Sequence, residues 1–515
     1  MSFEMGFLCV YAFLLVVLSF YGGHRYLMAY LYYRHKNRVP VPVAEYAAAD
    51  LPLVTVQLPI YNEQYVIERL IDAVCEFDYP REKMEIQVLD DSTDETCAVA
   101  SDAVDRMHAL GHDIVYIHRS DRSGYKAGAL EAGAAVAKGE YIAVFDADFV
   151  PEADFLQRTI HFFTDPKIAM VQTRWDHINR RFSLLTRAQA IILDGHFIME
   201  SCARNRSGRF FNFNGTAGIW RKTAITDAGG WQHDTLTEDL DLSYRAQVRG
   251  WNFVFLKDTV APAEIPVEMN AFKTQQHRWT KGSIQTGLKL LPSILRSDLS
   301  FKVKMEAFFH LTNNIAYVFM VMLCLMMPLS IPIRSHFRED WLGYMDLPVF
   351  LLATGAIAFF YMAAEREVGI GVKERFKYLP LVLSMGVGIC LNNAKAVIEA
   401  LTGHETGFVR TPKYRVEENG KSDWKHTMAK YHKKMDWLPY AELALGIWFT
   451  VAVVGVFYLA AVEAQYGLLM AVPFLALFQF GFLYISLQSM FQTRSGGLMA
   501  AFSNLFASFT STPRD

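Results

Sequence analysis

The sequence contains few cysteines and no excess of either charge. Its 515 residues include six cysteines, at positions 9, 75, 97, 202, 324 and 390. None has the Cys-x-x-Cys spacing that is typical of zinc and redox sites. The 50 basic residues nearly balance the 53 acidic ones, so that the formal net charge is −3. We therefore expect reduced thiols, no cysteine metal site, and no nucleic acid as the main partner.

Long apolar runs are abundant. Hydrophobic residues make up 52% of the chain and charged residues 20%, and the mean hydropathy is +0.14. A bilayer span takes roughly 20 apolar residues, and most of the long runs meet that length. The alternative is that they are buried helices of a large soluble domain. The runs cover residues 6–22, 308–333, 347–364, 378–391, 441–462 and 467–487.

The first run is predicted to be a membrane anchor. It has no basic leader before it and no small-residue cleavage site after it, and basic residues follow from Arg25 to Arg38. Positive charge favours the cytoplasmic side, so the globular region after it is expected in the cytoplasm. We predict an anchor at 1–36, a globular domain at 37–290, interfacial helices at 291–304 and a C-terminal membrane region at 305–515.

The membrane topology poses one problem. Residues 402–439 are rich in lysine and arginine and should lie inside, but three crossings between 305 and 400 would place them outside. Residues 378–400, whose second half is polar, are therefore predicted to lie along the interface. A hairpin within 305–333 is the alternative. We expect an external N-terminus, a cytoplasmic C-terminus and a multi-pass protein of the plasma (inner) membrane.

The region between the apolar runs alternates strand and helix patterns, which predicts a parallel α/β sheet. In such sheets ligands bind outside the carboxyl ends of the strands. The predicted strands cover 53–60, 84–91, 113–119 and 140–148, and the predicted helices cover 64–76, 94–111 and 127–139.

Paired carboxylates end two of these strands. Asp90 and Asp91 end the second, and Asp146 and Asp148 end the fourth. The small residue in Asp-Ala-Asp lets both carboxylates bend round one hard cation, and such oxygen ligands suit Mg²⁺ or Mn²⁺ shared with a diphosphate. The alternative is helix capping, which we favour for Asp94.

A basic segment, RSGYKAGAL (122–130), lies between the acidic pairs. Gly124 permits a tight turn, and Lys126 could reach a phosphate. A lone lysine at a helix start is usually just solvated. Combined with the carboxylates, it indicates a nucleotide-sugar site.

The segment TLTEDLDLSY contains Glu238, Asp239 and Asp241 at a predicted helix start, with Thr237 as a possible cap. Acidic residues are common there because the helix dipole favours them. A general base that deprotonates a sugar hydroxyl is the functional alternative. Upstream, Asn214 and Thr216 lie in a Gly-rich turn that lines an acceptor pocket or is only a turn.

The segment QQHRW (275–279) places Arg278 beside Trp279. The pair can be plain packing, in which the guanidinium caps the indole. It can also be a sugar platform with an anion clamp.

The motifs VLDDSTD, GYKAGAL, FDADF, FNGTAG and QQHRW occur in this order over residues 53–290. This order resembles the membrane-embedded, processive family-2 glycosyltransferases: cellulose synthases, hyaluronan synthases and cellulose-synthase-like mannan and glucan synthases. The resemblance implies an α/β GT-A domain with a mixed, mostly parallel sheet, followed by an α-helical transmembrane bundle.

The resemblance also implies an activity. A processive, inverting enzyme would polymerise a β-linked glucan or mannan from a nucleotide sugar and translocate it. UDP-glucose is the expected donor, although the base-contacting positions that separate it from GDP-mannose cannot be placed. The partners would be the donor, the growing glycan and membrane lipids. A lipid glycosyltransferase that adds one sugar, similar to ceramide glucosyltransferases, is the alternative, and an inactive donor-binding subunit is a third.

Roles follow for particular residues by resemblance. Asp91 with Asp90 would contact the nucleoside and Lys126 the diphosphate. Asp146 and Asp148 would hold Mg²⁺ or Mn²⁺ close to the nucleotide. Asp239 would be the base, with Glu238 shaping its surroundings. The acceptor and diphosphate would meet Gln275, Arg278 and Trp279.

A further segment, TGFVRTPKYR (406–415), resembles the gating loop of cellulose synthases. Phe408, Thr411 and Lys413 match its pattern, whereas Arg410 replaces a valine. A basic juxtamembrane loop is the alternative. Intramembrane aromatics such as Phe309, Tyr317 and Phe319 could line a glycan channel, although packing accounts for each one alone.

Overall fold

The structure, a computed structural model, describes residues 3–337, 346–404, 407, 410–417 and 437–491. It contains an α/β domain whose sheet begins at residue 54 and long apolar helices that come from both ends of the chain. All six cysteines are free thiols.

The α/β domain is built on a seven-stranded sheet of order β3-β2-β1-β4-β6-β5-β7. β6 is antiparallel to both of its neighbours, and the other pairings are parallel. The prediction of a mixed, mostly parallel sheet is thus confirmed, whereas β5, β6 and β7 were not predicted. The strands are β1 Val54–Ile60, β2 Met84–Asp90, β3 Asp113–His118, β4 Tyr141–Val144, β5 Ile168–His177, β6 Gly218–Arg221 and β7 Asn252–Ala263.

Helices connect the strands, and their starts have identifiable causes. Asp94 accepts the backbone N–H of Thr96, the first residue of the helix Thr96–Ala109, but the N-cap position is occupied by Glu95, which makes no side-chain cap. The predicted capping by Asp94 is therefore replaced by a bond from one residue earlier. Thr237 makes no side-chain cap, contrary to prediction, because its hydroxyl instead contacts that of Thr286. The helices are α1 Phe3–His35, α2 Ile67–Cys75, α3 Thr96–Ala109, α4 Tyr125–Val136, α5 Phe155–Ile160, α6 Leu184–Asp194, α7 Cys202–Arg206, α8 Lys222–Asp227 and α9 Glu238–Val248. A π-helical turn, Gly195–Ser201, joins α6 to α7.

The two faces of the sheet bury different partners. One face packs against α2, α3 and α5. The other packs against α4, α8, the π-helical turn and the membrane-side helices, including Met28 and Tyr32 of α1. Strands β1, β2 and β4 are buried along their whole length, as central strands of a covered parallel sheet should be. The second face therefore fixes the domain to the apolar helices.

The remaining helices follow the sheet domain, and most of them are apolar. They are α10 Met269–Arg296, α11 Phe301–Thr312, α12 Ala316–Phe337, α13 Asp346–Glu367, α14 Val372–Gly388, α15 Cys390–Leu401, α16 Leu438–Val462 and α17 Val472–Phe491. α10 runs past residue 290, so the predicted interfacial segment 291–304 contains the end of α10 and the start of α11.

Five stretches in the described part of the chain are long and apolar enough to cross a membrane: Phe3–His35, Phe301–His336, Val372–Leu401, Leu438–Val462 and Tyr466–Phe491. Protein covers 72% of the third one, compared with 28–33% of the others. By length and composition it could span. Its interfacial placement therefore stays a prediction.

Two glycines allow α14 and α17 to approach closely. A Cβ at Gly388 would lie 2.4 Å from the carbonyl oxygen of Gly481, and a Cβ at Gly481 would lie 2.2 Å from that of Ser384. Small residues permit such contacts between apolar helices. This crossing depends on the absence of side chains at both positions.

Candidate active site

A cavity of about 180 Å³ lies at the carboxyl edge of the sheet. Residues from the predicted motifs meet there although they lie far apart in the sequence. Those that line it are Asp91, Lys126, Asp146, Asp148, Asn214, Glu238, Asp239, Gln275, Arg278, Trp279, Thr411 and Lys413.

Three predicted site residues are not among the lining residues. Asp90 is fully buried, and its carboxylate accepts the Ser92 backbone N–H (2.7 Å) and the Tyr116 hydroxyl (2.6 Å). Thr216 is also buried, and its hydroxyl accepts the backbone N–H of Asp146 at 2.9 Å. Both therefore support the cavity wall from behind. Phe408 lies outside the described residues.

Lys126, in the first turn of α4, joins two walls of the cavity. Its ammonium group donates to the Asp146 carboxylate and, at 2.9 Å, to the carbonyl of Gly215. Gly215 has a φ of +79°, and a Cβ there would lie 3.1 Å from Asp239 Oδ2. Burial disfavours the charged lysine, but the carboxylates of Asp146 and Glu238 outweigh it and raise the pKa of Lys126. The lysine is thus cationic between these carboxylates.

Asp239 is placed as a base would be. It lies in the first turn of α9, and its Oδ1 accepts the backbone N–H of Leu240 at 2.7 Å. Burial, followed by the neighbouring charge of Glu238, raises the pKa of Asp239 from 3.8 to about 7, although Lys126 opposes the shift. A carboxyl group with a pKa near neutrality is well matched to general base catalysis.

The segment 410–417, which contains two of the predicted gating residues, crosses the cavity. Lys413 donates to Asp148 Oδ2 at 2.5 Å and to the carbonyl of Glu264 at 2.7 Å. The Glu264 carboxylate in turn accepts the backbone N–H groups of Tyr414 (3.0 Å) and Arg415 (2.9 Å). Glu264, which follows β7, therefore holds this segment in place; no sequence motif indicated it.

Asp146 and Asp148 fit a hard divalent cation. They follow β4 on either side of the buried Ala147 and line one cavity. Each faces a lysine ammonium group, Lys126 or Lys413, so both carboxylates are already oriented toward positive charge. Oxygen donors of this kind suit Mg²⁺ or Mn²⁺.

A cluster of three side chains that could act as metal ligands lies behind the cavity. Asp90, Cys97 and His118 come close enough together to hold an ion. Both Asp90 oxygens are engaged as described above, and the Cys97 thiol donates to the carbonyl of Ser92 at 3.2 Å. Hydrogen bonding therefore accounts for this group.

The Asp91 side of the cavity is formed and supported by residues that the sequence did not single out. Arg119 binds both oxygens of Asp91, at 2.8 and 2.6 Å. The Arg122 guanidinium carbon lies 3.3 Å from the centre of the Tyr61 ring. Tyr61 and Glu63 belong to the YNE turn after β1 and line the cavity. That turn follows a third strand that ends at the same edge of the sheet. Its position could have identified Tyr61 and Glu63 from the sequence.

Two more cavities continue from the first one. The second, about 250 Å³, shares Asp239, Trp279 and Asn214 with it. The third, about 280 Å³, lies among the apolar helices and shares Gln276 and Tyr361 with the second. Phe309 and Tyr317 line this third cavity, whereas Phe319 is not among its lining residues. Three neighbouring cavities, each of which shares lining residues with the next, thus form a chain between Asp239 and the helix bundle.

Residues 52–282 match a family model described as Glycosyltransferase like family 2. The chain is 37% identical over 332 residues to glucomannan 4-beta-mannosyltransferase 7 of Arabidopsis thaliana. The aligned region covers 62% of this chain and 60% of that protein. It is 42% identical over 314 residues to glucomannan 4-beta-mannosyltransferase 2 of the same plant, covering 59% of each. The chain therefore spans about 60% of the length of these curated relatives.

Among solved structures, the chain is partly similar to the mannosyltransferase PcManGT from Pyrobaculum calidifontis in complex with GDP-Man and Mn²⁺. The TM-score is 0.49 and the identity 20%, and the match covers 77% of this chain and 100% of the other. The family match confirms the resemblance that the motifs indicated and, together with the sheet, the GT-A fold class.

Proposed function

Because residues 52–282 are a domain of the glycosyltransferase-like family 2, we propose that the chain is a processive, inverting hexosyltransferase. It transfers sugars from a nucleotide donor to a growing β-linked glycan and passes the glycan through its own membrane helices. The observation that carries this proposal is the chain of three cavities from Asp239 into the helix bundle.

The donor occupies the first cavity. Asp91 faces the nucleoside, and Lys126 and Arg278 face the diphosphate. Asp146 and Asp148 would hold a divalent cation, which when bound would supply positive charge to the departing diphosphate. In the structure these two carboxylates are paired with Lys126 and Lys413. Donor binding would thus require the two lysines to shift toward the phosphates.

The acceptor enters from the second cavity. Its terminal sugar stacks on Trp279, near Gln275 and Asn214. Asp239 takes the proton of the acceptor hydroxyl as the oxygen bonds to C1 of the donor sugar, and the C1–diphosphate bond breaks. The nucleoside diphosphate leaves with the electron pair of that bond. One displacement at C1 inverts an α-linked donor into a β-linkage.

The donor is a hexose nucleotide. The relatives are named for mannosyl transfer to glucomannan, which supports GDP-mannose, while UDP-glucose remains the donor expected from the sequence. Both are to be tested. Purified chain in nanodiscs receives GDP-mannose, UDP-glucose, UDP-galactose or UDP-N-acetylglucosamine with Mg²⁺ or Mn²⁺, and the labelled product is sized. A long β-linked polymer from one donor is expected, whereas a lipid-extractable product with a single sugar would overturn the proposal.

We also propose that the chain lies in the plasma (inner) membrane and that its catalytic domain faces the cytoplasm. The five apolar stretches support a membrane location, and the basic residues between 402 and 439 support the sidedness. Ser422→Cys in a chain without its six native cysteines gives the test. A membrane-impermeant maleimide should label it only after permeabilisation. Labelling of intact cells would contradict this topology.

A further inference from the structure

The π-helical turn Gly195–Ser201 presents two ionisable side chains to the second cavity. His196 and Glu200 line it together with Asp239 and Trp279. A Cβ at Gly195 would lie 2.8 Å from ring atoms of Phe360 and Tyr361, so the turn is pressed against α13. π-helical turns inside helices occur often at functional sites. No motif of the sequence marks these residues.

His196 faces two hydrogen-bond acceptors. Its Nε2 lies 2.8 Å from Asn214 Oδ1, and its Nδ1 lies 3.2 Å from Glu200 Oε2. The amide of Asn212 donates to the carbonyl of Phe213 at 2.8 Å and to Asn214 Oδ1 at 3.2 Å. These bonds fix which atom of Asn214 faces the imidazole. Asn214 therefore presents its oxygen to His196.

A neutral imidazole has only one N–H, so it cannot serve both acceptors. Burial, followed by the charge of Arg204, lowers the pKa of His196 to about 4. Glu200 stays an acceptor because it is paired with Arg25 and with Arg204, the latter at 3.3 Å. One of the two contacts of His196 consequently lacks a proton.

A sugar hydroxyl can supply the missing proton, because a hydroxyl group both donates and accepts hydrogen bonds. The cavity also offers an apolar wall, in which the rings of Trp175 and Phe197 lie 5.0 Å apart. Asn214 lines the second cavity together with Asp239, and a Cβ at its neighbour Gly215 would lie 3.1 Å from Asp239 Oδ2. The His196 group is therefore adjacent to the reacting end of the acceptor.

We propose that His196, with Glu200 and Asn214, forms a hydroxyl-binding subsite for the acceptor glycan, behind the sugar that stacks on Trp279. This subsite rests on the proposed function, since it takes the glycan that the enzyme extends. His196 is a positioning residue. It holds the chain in register while Asp239 acts on the terminal hydroxyl.

The test compares His196→Phe, which keeps a ring but no hydrogen bond, with His196→Gln, which keeps polar atoms. The control is His108→Gln, at an exposed position on α3. Full-length protein in nanodiscs is titrated with mannopentaose and with cellopentaose, and donor hydrolysis without acceptor is measured in parallel. Loss of one or two hydrogen bonds should weaken binding of the preferred oligosaccharide by about tenfold in His196→Phe. His196→Gln should remain within about threefold of the wild type.

In His196→Phe, donor hydrolysis should fall far less than oligosaccharide affinity. Unchanged affinity in His196→Phe, no binding of either oligosaccharide by the wild type, or parallel losses in binding and hydrolysis would overturn the subsite. Product sizing separates this from the proposed function. If oligosaccharide binding follows the prediction but no donor gives polymer, the subsite stands and the polymerase proposal fails.

Discussion

The pH dependence of transfer should follow Asp239. The base acts as a carboxylate, and its pKa is raised from 3.8 to about 7. About 90% of the molecules then carry the base at pH 8, about half at pH 7 and about 10% at pH 6. We therefore expect kcat/KM to fall roughly tenfold from pH 8 to pH 6 and another tenfold to pH 5. Initial rates of polymer synthesis at saturating metal measure this.

The causes of the shift can be separated by mutation. Burial is the largest and the charge of Glu238 comes second. Glu238→Gln should therefore lower the pKa of Asp239 and move the acid limb of the pH–rate profile toward lower pH. Because burial remains, the pKa should not return all the way from about 7 to 3.8. Asp105→Asn, an exposed position on α3, is the control and should leave the profile in place. An acid limb near pH 4 in the wild type, or one that Glu238→Gln does not move, would refute the reasoning.

The same shift has a consequence for stability. Since the folded-state pKa lies above the unfolded value, ionisation of Asp239 costs the folded state stability as pH rises from about 4 to about 7. Asp239→Asn removes that cost. The variant should therefore lose transfer, keep nucleotide binding, and resist thermal unfolding better than the wild type at pH 8, with the gain vanishing toward pH 4. Equal melting temperatures at pH 8 would contradict the buried environment of this carboxylate.

Three further predictions concern other parts of the molecule. Trp279→Ala should weaken acceptor use more than donor hydrolysis; equal losses in both assays would assign the indole to packing. Lys413→Ala should lower the Mn²⁺ concentration that gives the half-maximal rate, because Asp148 loses its competing cation. The same variant should raise the donor KM. Arg415→Gln, at an exposed position, is the control and should change neither value. Gly388→Ala should cost about 1–3 kcal/mol by overpacking against α17, whereas Gly386→Ala, which has open space, should not; melting in detergent compares them.

The local pattern of the chain was sufficient for the first four strands and for most of the site. Aliphatic runs that end in carboxylates place those carboxylates at one edge of a parallel sheet wherever the strands pair. It was insufficient for β6, only four residues long, and for β5 and β7, whose turns gave no clear punctuation. The pattern also could not show which of Asp90 and Asp91 faces the cavity. Side chains of neighbouring residues point in opposite directions at a strand end, so only one of the two can do so. The sheet decided that Asp91 faces the cavity and Asp90 faces Tyr116.

The sequence by itself determined which chemical groups are present: paired carboxylates, a lysine near a helix start, an acid at another helix start, and an arginine with a tryptophan beside it. The roles proposed for them rest on residue type, short-range spacing and the family resemblance. The tertiary structure alone decided what each group faces. The raised pKa of Asp239, the contact of Lys413 with Asp148 and the His196–Glu200 pair all come from segments far apart in the chain. Burial and charge act through space, and distance along the chain does not report them.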